Sequence, residues 1–109
     1  MNTTSQTQKR RPQKSITVRV KLSDFLSKLT PENDFDMSIP AGCTVAEFVE
    51  YLVVRLGDNF RKTLLDNDGK PHADYAIVLN QHFIAPQRLT ELIVRDKSKL
   101  SIIPIVGGG

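Results

Sequence analysis

The sequence is poor in the residues that most often perform chemistry. Its 109 residues include one cysteine, Cys43, and two histidines, His72 and His82. A lone cysteine excludes an internal disulfide and suits a reducing compartment, so a cytoplasmic protein is expected. Three such residues also fall short of the usual tetrahedral zinc set, and no metal is expected. No apolar run approaches the ~20 residues needed to span a bilayer. The basic N-terminal residues are not followed by the apolar stretch of a secretory signal, so no membrane role is expected. Phosphate-cradling glycine loops, dinucleotide fingerprints and nucleophile elbows are missing as well. These absences leave one small domain with no catalytic site of its own.

A basic face is also lacking. The formal charge is +3, from 15 basic and 12 acidic residues. Four of the cations (Lys9, Arg10, Arg11 and Lys14) fall in the first 14 residues, which hold no acid; 15 less these four leaves 11 against 12. The body is therefore close to neutral, whereas a nucleic-acid binder needs a basic surface on its folded part. Residues 1–14 have no aliphatic residue after Met1 and cannot offset the entropy of ordering. They are expected to form a disordered basic tail.

What is present is strong patterning from residue 15 onward. Ile16, Val18, Val20 and Leu22 alternate with Thr17, Arg19 and Lys21, the period of a half-buried strand. Phe25, Leu26 and Leu29 suggest an apolar anchor before Pro31 and Asn33. Phe35, Met37 and Ile39 alternate again, suggesting an antiparallel partner for the first strand. After the turn Pro40-Ala41-Gly42, Thr44 and Glu47 have the Thr-x-x-Glu spacing of a capping box, and Cys43 can staple against Phe48. Val45, Phe48, Val49, Leu52 and Leu56 then recur at helical spacing until Gly57. Phe60, Leu64 and Leu65 predict a short second helix starting at Asp58 or Asn59, followed by a loop from Asp66 to Pro71.

Tyr75 to Leu79 reads as a strand, with Asn80-Gln81-His82 as a tight turn into Phe83-Ile84. Residues 85–98 read as irregular, with Leu89 and Leu92 in the core. Leu100 to Ile105 is a nearly continuous apolar run, which predicts a central strand buried on both faces. A sheet gripping one main helix, an α+β architecture, accounts for this order.

Three internal features could be read as sites, and each has a plainer reading. Asp66-Asn67-Asp68-Gly69 lacks the spaced carboxylates and terminal glutamate of a calcium loop, so a surface turn is expected. Cys43 beside a helix N-terminus could serve as a thiolate nucleophile with a histidine, but its staple position asks for a small apolar group. The histidines by themselves form no pattern.

The C-terminus is different. Gly107-Gly108-Gly109 follows the last strand directly, and three consecutive glycines at a chosen position arise by chance about three times in ten thousand at ~7% glycine usage. Added residues or a frayed end are the plain alternative. Glycine lacks a Cβ, so such a segment can thread a narrow channel and bring its backbone against a partner's catalytic groups. An ionised α-carboxylate is a poor acyl donor. Activation, as in an acyl-adenylate, would make it reactive toward sulfide or a lysine amine.

With this ending the chain resembles the ubiquitin-like sulfur carriers of β-grasp fold, the MoaD–ThiS superfamily, and most of all the small subunit of molybdopterin synthase. That family ends in two apolar residues, Pro-Pro, Val, a small residue and Gly-Gly. Ile102-Ile103-Pro104-Ile105-Val106-Gly107-Gly108-Gly109 has the same length. The stretch Ile39 to Phe48 resembles the family's approach to its helix, and Val78-Leu79-Asn80 its hairpin. Phe60 to Gly69 is similar to the insertion of longer, archaeal-type members. Ile105 departs from the second proline, and Lys97-Ser98 stands where the family has Gly-Asp.

The resemblance implies a β-grasp domain over residues 15–106, a mixed sheet of four to five strands, and a flexible tail over 107–109. It implies that Gly109 is adenylated by an ATP-dependent activating enzyme resembling ubiquitin E1 and converted to a thiocarboxylate. Gly108, Gly107, Val106, Ile105 and Pro104 would enter partner active sites. A molybdopterin synthase large subunit would receive the sulfur for the cofactor's dithiolene, and ATP and the pterin would bind the partners rather than this chain. The open sheet face and the strand from Leu100 would dock. Sulfur carriage for tRNA thiolation or thiazole synthesis, protein modification through Gly109, and a plain binding domain are the rival readings.

Overall fold

The computed structural model of the chain describes residues 14–23, 26, 28, 30 and 32–105. Thirteen of the 14 residues expected to form the basic tail lie outside that set, as do Val106 and Gly107-Gly108-Gly109. Lys14 lies inside it: its carbonyl accepts from the Ala41 amide at 2.8 Å, so the folded body begins one residue before the expected boundary.

The elements follow the order β1 (Ser15–Leu22), β2 (Asp34–Pro40), α1 (Val45–Leu56), α2 (Asp58–Leu64), β3 (Tyr75–Leu79), β4 (His82–Phe83), a 3-10 turn (Pro86–Arg88) and β5 (Lys99–Pro104). The strands form one mixed sheet in the order β2-β1-β5-β3-β4. β1 pairs antiparallel with β2 and parallel with β5, and β3 pairs antiparallel with both β5 and β4. The first and last strands are thus neighbours in the middle of the sheet.

The register follows from the alternation. Val18 lies opposite Met37, Val20 opposite Phe35 and Ile16 opposite Ile39, so the apolar residues of β1 and β2 share the face that meets α1. A slip of one residue would turn all of them to the other side. Leu100 and Ile102 of β5 and Ile77 of β3 continue this layer. From α1 come Val45, Phe48, Val49, Leu52, Val53 and Leu56, all buried. The valines have weak helix propensity, about 0.5 kcal/mol each against alanine. Burial contributes about 1.5–3 kcal/mol per large aliphatic side chain, so packing decides in favour of the helix.

The ends of α1 are set locally. The Glu47 amide donates to Thr44 Oγ1 at 3.1 Å and the Thr44 amide donates to Glu47 Oε1 at 2.9 Å, which completes the expected capping box. Cys43 and Phe48 are both buried in the core, as a staple requires. Gly57, with φ +101°, donates its amide to the Val53 carbonyl and turns the chain into α2. Leu26 is fully buried as the expected anchor, while Phe25, Leu29 and Pro31 lie outside the described residues.

Three expectations need correction. β5 is central, but it is buried on one face only: Ile103 is 42% exposed and Ile105 49%. The helices cover a single side of the sheet, so every second residue of β5 faces outward. His82 belongs to a strand rather than to the turn, being paired with Leu79. Finally, residues 85–98 contain the 3-10 turn and a further core residue, Val94, beyond Leu89 and the half-buried Leu92.

Candidate functional site

β5 is the element that carries the chain toward its C-terminal residues. Pro104 pairs with Tyr75 at the end of the ladder, and the Ile105 amide donates to the Asp74 carbonyl at 2.7 Å. Proline brings no ladder donor, so the strand is held through its neighbours up to Ile105. The expected tail residues Pro104 and Ile105 are both exposed here; Val106, Gly107, Gly108 and Gly109 follow outside the described residues.

The start of β5 is fixed to the β3–β4 hairpin by a side-chain network. Asn80 and Gln81 have φ of 51° and 73°, the pair of positive values that a two-residue type I′ turn requires. The Asn80 amide donates to the Lys99 carbonyl at 2.8 Å, and the Lys99 amide donates to Asn80 Oδ1 at 2.9 Å. Asn80 Nδ2 donates to Ser98 Oγ, which is buried, at 3.3 Å. Lys97 just before has φ 68°, a left-handed conformation that glycine adopts without strain. The Gly-Asp pair of the resembled family fits this geometry at Lys97-Ser98, so the departure is one of residue type and not of backbone.

The face of the sheet away from the helices divides into two halves. On β1 and β2, Arg19 Nε donates to Asp34 Oδ1 at 2.7 Å and Arg19 Nη1 to Asp36 Oδ1 at 3.3 Å. Hydrogen bonding to Arg19 holds the Asp34 carboxyl below its ordinary value, and the same bonds raise Arg19. On β3, β4 and β5 the outward residues include the apolar Val78, Phe83 and Ile103, with Phe83 58% exposed, beside the polar Lys99 and Ser101 of β5. Ile105, 49% exposed, follows β5 and lines a cleft with Phe83. Sequence patterning missed the patch because it read the apolar run of β5 as buried twice; an apolar run on a sheet covered from one side signals a contact surface instead.

At the root of β5 a small cleft of about 150 Å³ lies between His72, Tyr75, Phe83, Pro86, Leu89 and Ile105. Its walls are mostly apolar. Asp66 Oδ1 accepts from the Asp68 amide at 2.9 Å and the Lys70 amide at 3.0 Å, and these bonds lower its carboxyl pKa. This is a self-satisfied turn. Among the described residues no three of the His, Cys, Asp and Glu side chains gather as a metal cluster. Burial, with the Glu47 charge second, pushes the Cys43 thiol pKa up, which opposes thiolate chemistry there. His82 Nδ1 lies 3.1 Å from the Asn80 carbonyl, in a contact within the hairpin.

The model of the ThiS family matches residues 20–109. The chain belongs to the ThiS family. Its ThiS-type fold is shared with a chain of the Amycolatopsis orientalis BexX/CysO complex, at 28% identity and a TM-score of 0.62, covering 84% of this chain and 99% of that one. A Pyrococcus furiosus protein assigned as molybdopterin converting factor, subunit 1, matches at 20% identity and a TM-score of 0.66, with 84% and 99% covered. Haloferax volcanii small archaeal modifier protein 1 matches at 15% identity and a TM-score of 0.73, again with 84% and 99% covered. The last two establish the ubiquitin-like β-grasp fold. No curated protein sequence matches the chain. ThiS-type proteins are small non-catalytic carriers or modifiers that act as partners of enzymes, and the chain is one of them. Among the described residues no helix is long and apolar enough to cross a membrane.

Proposed function

We propose that the chain is a sulfur carrier for molybdopterin synthesis, working through the carboxylate of Gly109. An ATP-dependent activating enzyme adenylates the carboxylate and releases pyrophosphate. Sulfide equivalents from a donor then attack the acyl carbon and expel AMP, leaving a thiocarboxylate. A synthase large subunit accepts the tail and transfers the sulfur to a pterin precursor. The observation that supports this reading is the end of β5: a central strand runs out at the exposed Ile103 and Ile105, with Phe83 exposed on the same half of the sheet. Such a surface gives an enzyme something to grip while the slim glycines enter its active site. The similarity to the P. furiosus molybdopterin converting factor subunit agrees with it.

One specific observation favours a second reading. The likeness to small archaeal modifier protein 1 points to conjugation, in which a lysine amine attacks the same acyl-adenylate and forms an isopeptide bond. Intact-mass measurement separates the two after incubation with ATP, an activating enzyme, a sulfur donor and cell extract. Exchange of one oxygen for sulfur at Gly109, lost on deleting Gly108-Gly109, supports carriage. Conjugates to lysines without that exchange favour the modifier, and modification of Cys43 overturns both.

A further inference from the structure

The outward side of α1 carries a second stripe that the core leaves unused. Glu47, Glu50, Tyr51 and Val54 recur at i, i+3, i+4 and i+7, on the side of the helix opposite the buried residues. With Cys43 they line an open groove of about 430 Å³ that contains no basic residue. Val54 is 75% exposed and Tyr51 44%. An exposed valine in a helix gains neither propensity nor burial, so this side of α1 is built as if something covers it.

The chain carries a complementary segment close by. Lys14 is hydrogen-bonded to Ala41, two residues from Cys43 at the end of the groove. Ahead of Lys14 stand Arg11, Arg10 and Lys9, in a stretch without a single acid. Three to five extended residues reach roughly 10–18 Å, and the stripe from Glu47 to Val54 is about 10 Å long at 1.5 Å per residue. The lengths match.

Several other surface acids are better satisfied, although Asp58, Asp68 and Asp74 have no ion pair among the described residues. Asp34 and Asp36 are paired with Arg19, Glu32 is held by two bonds from Arg55, and Asp66 by backbone amides. Asp96 accepts from the Thr17 amide. Among the described residues Glu47 caps α1 and has no ion pair, and Glu50 pairs only with Arg61 at 3.9 Å.

We propose that the basic segment Lys9-Arg10-Arg11 of the chain itself lies along the outward stripe of α1. Its charges meet Glu47 and Glu50, a guanidinium covers the Tyr51 ring, and the aliphatic stems shield Val54. The strap occupies the helix side and leaves the open sheet face and the end of β5 free. A partner reading the helix must displace the strap, whereas a partner reading the sheet need not.

The test compares amide NMR spectra of the full chain and of a chain lacking residues 1–13, which retains every described residue. The expected differences cluster at Cys43, Glu47, Glu50, Tyr51 and Val54, do not depend on protein concentration, and vanish at about 1 M salt, where the screening length falls to ~3 Å from ~30 Å at 0.01 M. Glu50→Lys in the full chain, at an exposed position, should reproduce the truncated chain's spectrum in the rest of the stripe; Glu47 is left intact because it caps α1. Identical spectra, or differences centred on Asp34, Asp36 or Asp96, overturn the proposal. So do stripe differences that survive both salt and Glu50→Lys. Differences that grow with protein concentration overturn it in favour of contact between two copies.

Discussion

The two halves of the open sheet face use the same backbone geometry for opposite ends. On β1 and β2 the outward positions are polar or charged, with Thr17 opposite Ser38 and Arg19 between Asp34 and Asp36. On β3, β4 and β5 the outward positions run from Lys99 and Ser101, beside β1, to Val78, Phe83 and Ile103, and Phe83 and Ile103 are large apolar side chains open to solvent. Beneath both halves the helix-facing residues are alike, aliphatic and buried. The outward charges therefore contribute little to folding, as exposed ion pairs do, but they keep one half hydrated and self-sufficient. Among the described residues nothing covers Phe83 or Ile103 in the same way. This apolar half flanks the end of β5, so under the function proposed above it is the half that another protein would contact.

Substitutions can break this contrast. The largest effect is expected at the helix-facing side of β5: Ile102→Ala should cost about 2–5 kcal/mol in chemical denaturation, because it empties a fully buried site. One residue further on, Ile103→Asp should change stability by no more than about 0.5 kcal/mol. Under the proposed function it should nevertheless raise the KM of an activating enzyme for the chain by about tenfold or more, the scale of an interface anchor. Arg19→Ala, in the charged half, should move the same KM by less than about threefold. Equal effects from both halves in adenylation kinetics would erase the distinction.

A smaller effect sharpens the account of how β5 begins. Lys97→Gly should stabilise the chain by roughly 0.5–1 kcal/mol in thermal unfolding, since the left-handed cost exceeds glycine's entropic penalty. The smallest effect belongs to the charged half and its neighbour. Arg19 holds Asp34 below its ordinary 3.8, and Arg55 holds Glu32 below its ordinary 4.5. A lowered carboxyl pKa contributes stability that is fully present above the ordinary value and lost as pH falls through the folded one. Thermal scans should therefore show a shallow loss below about pH 4, weaker in Arg19→Ala.

The elements were legible where one local rule governs them. The Thr44–Glu47 box, the α1 stripe and Gly57 needed only neighbours three or four residues away, and β1 and β2 needed only alternation. The turn at Asn80-Gln81 was readable too, although His82 fell on the strand side of it. β5 was harder: an apolar run states that burial is favourable but not how many sides are covered, because that depends on where the helices pack. The apolar half of the open face went unread for the same reason. The glycine terminus was singled out by composition and family resemblance, and it lies outside the described residues, so its role rests on the proposal above.

The sequence by itself determined the local periods, the caps, the placement of charge and the family ending, because each is written within a few residues of chain. Only the tertiary structure decided that β1 and β5 lie side by side, that helices cover one face alone, and that Phe83 and Ile103 are left exposed on the other. The first of these rests on pairing between segments some 80 residues apart, where the choice is made by which apolar surfaces can close together and not by any local preference.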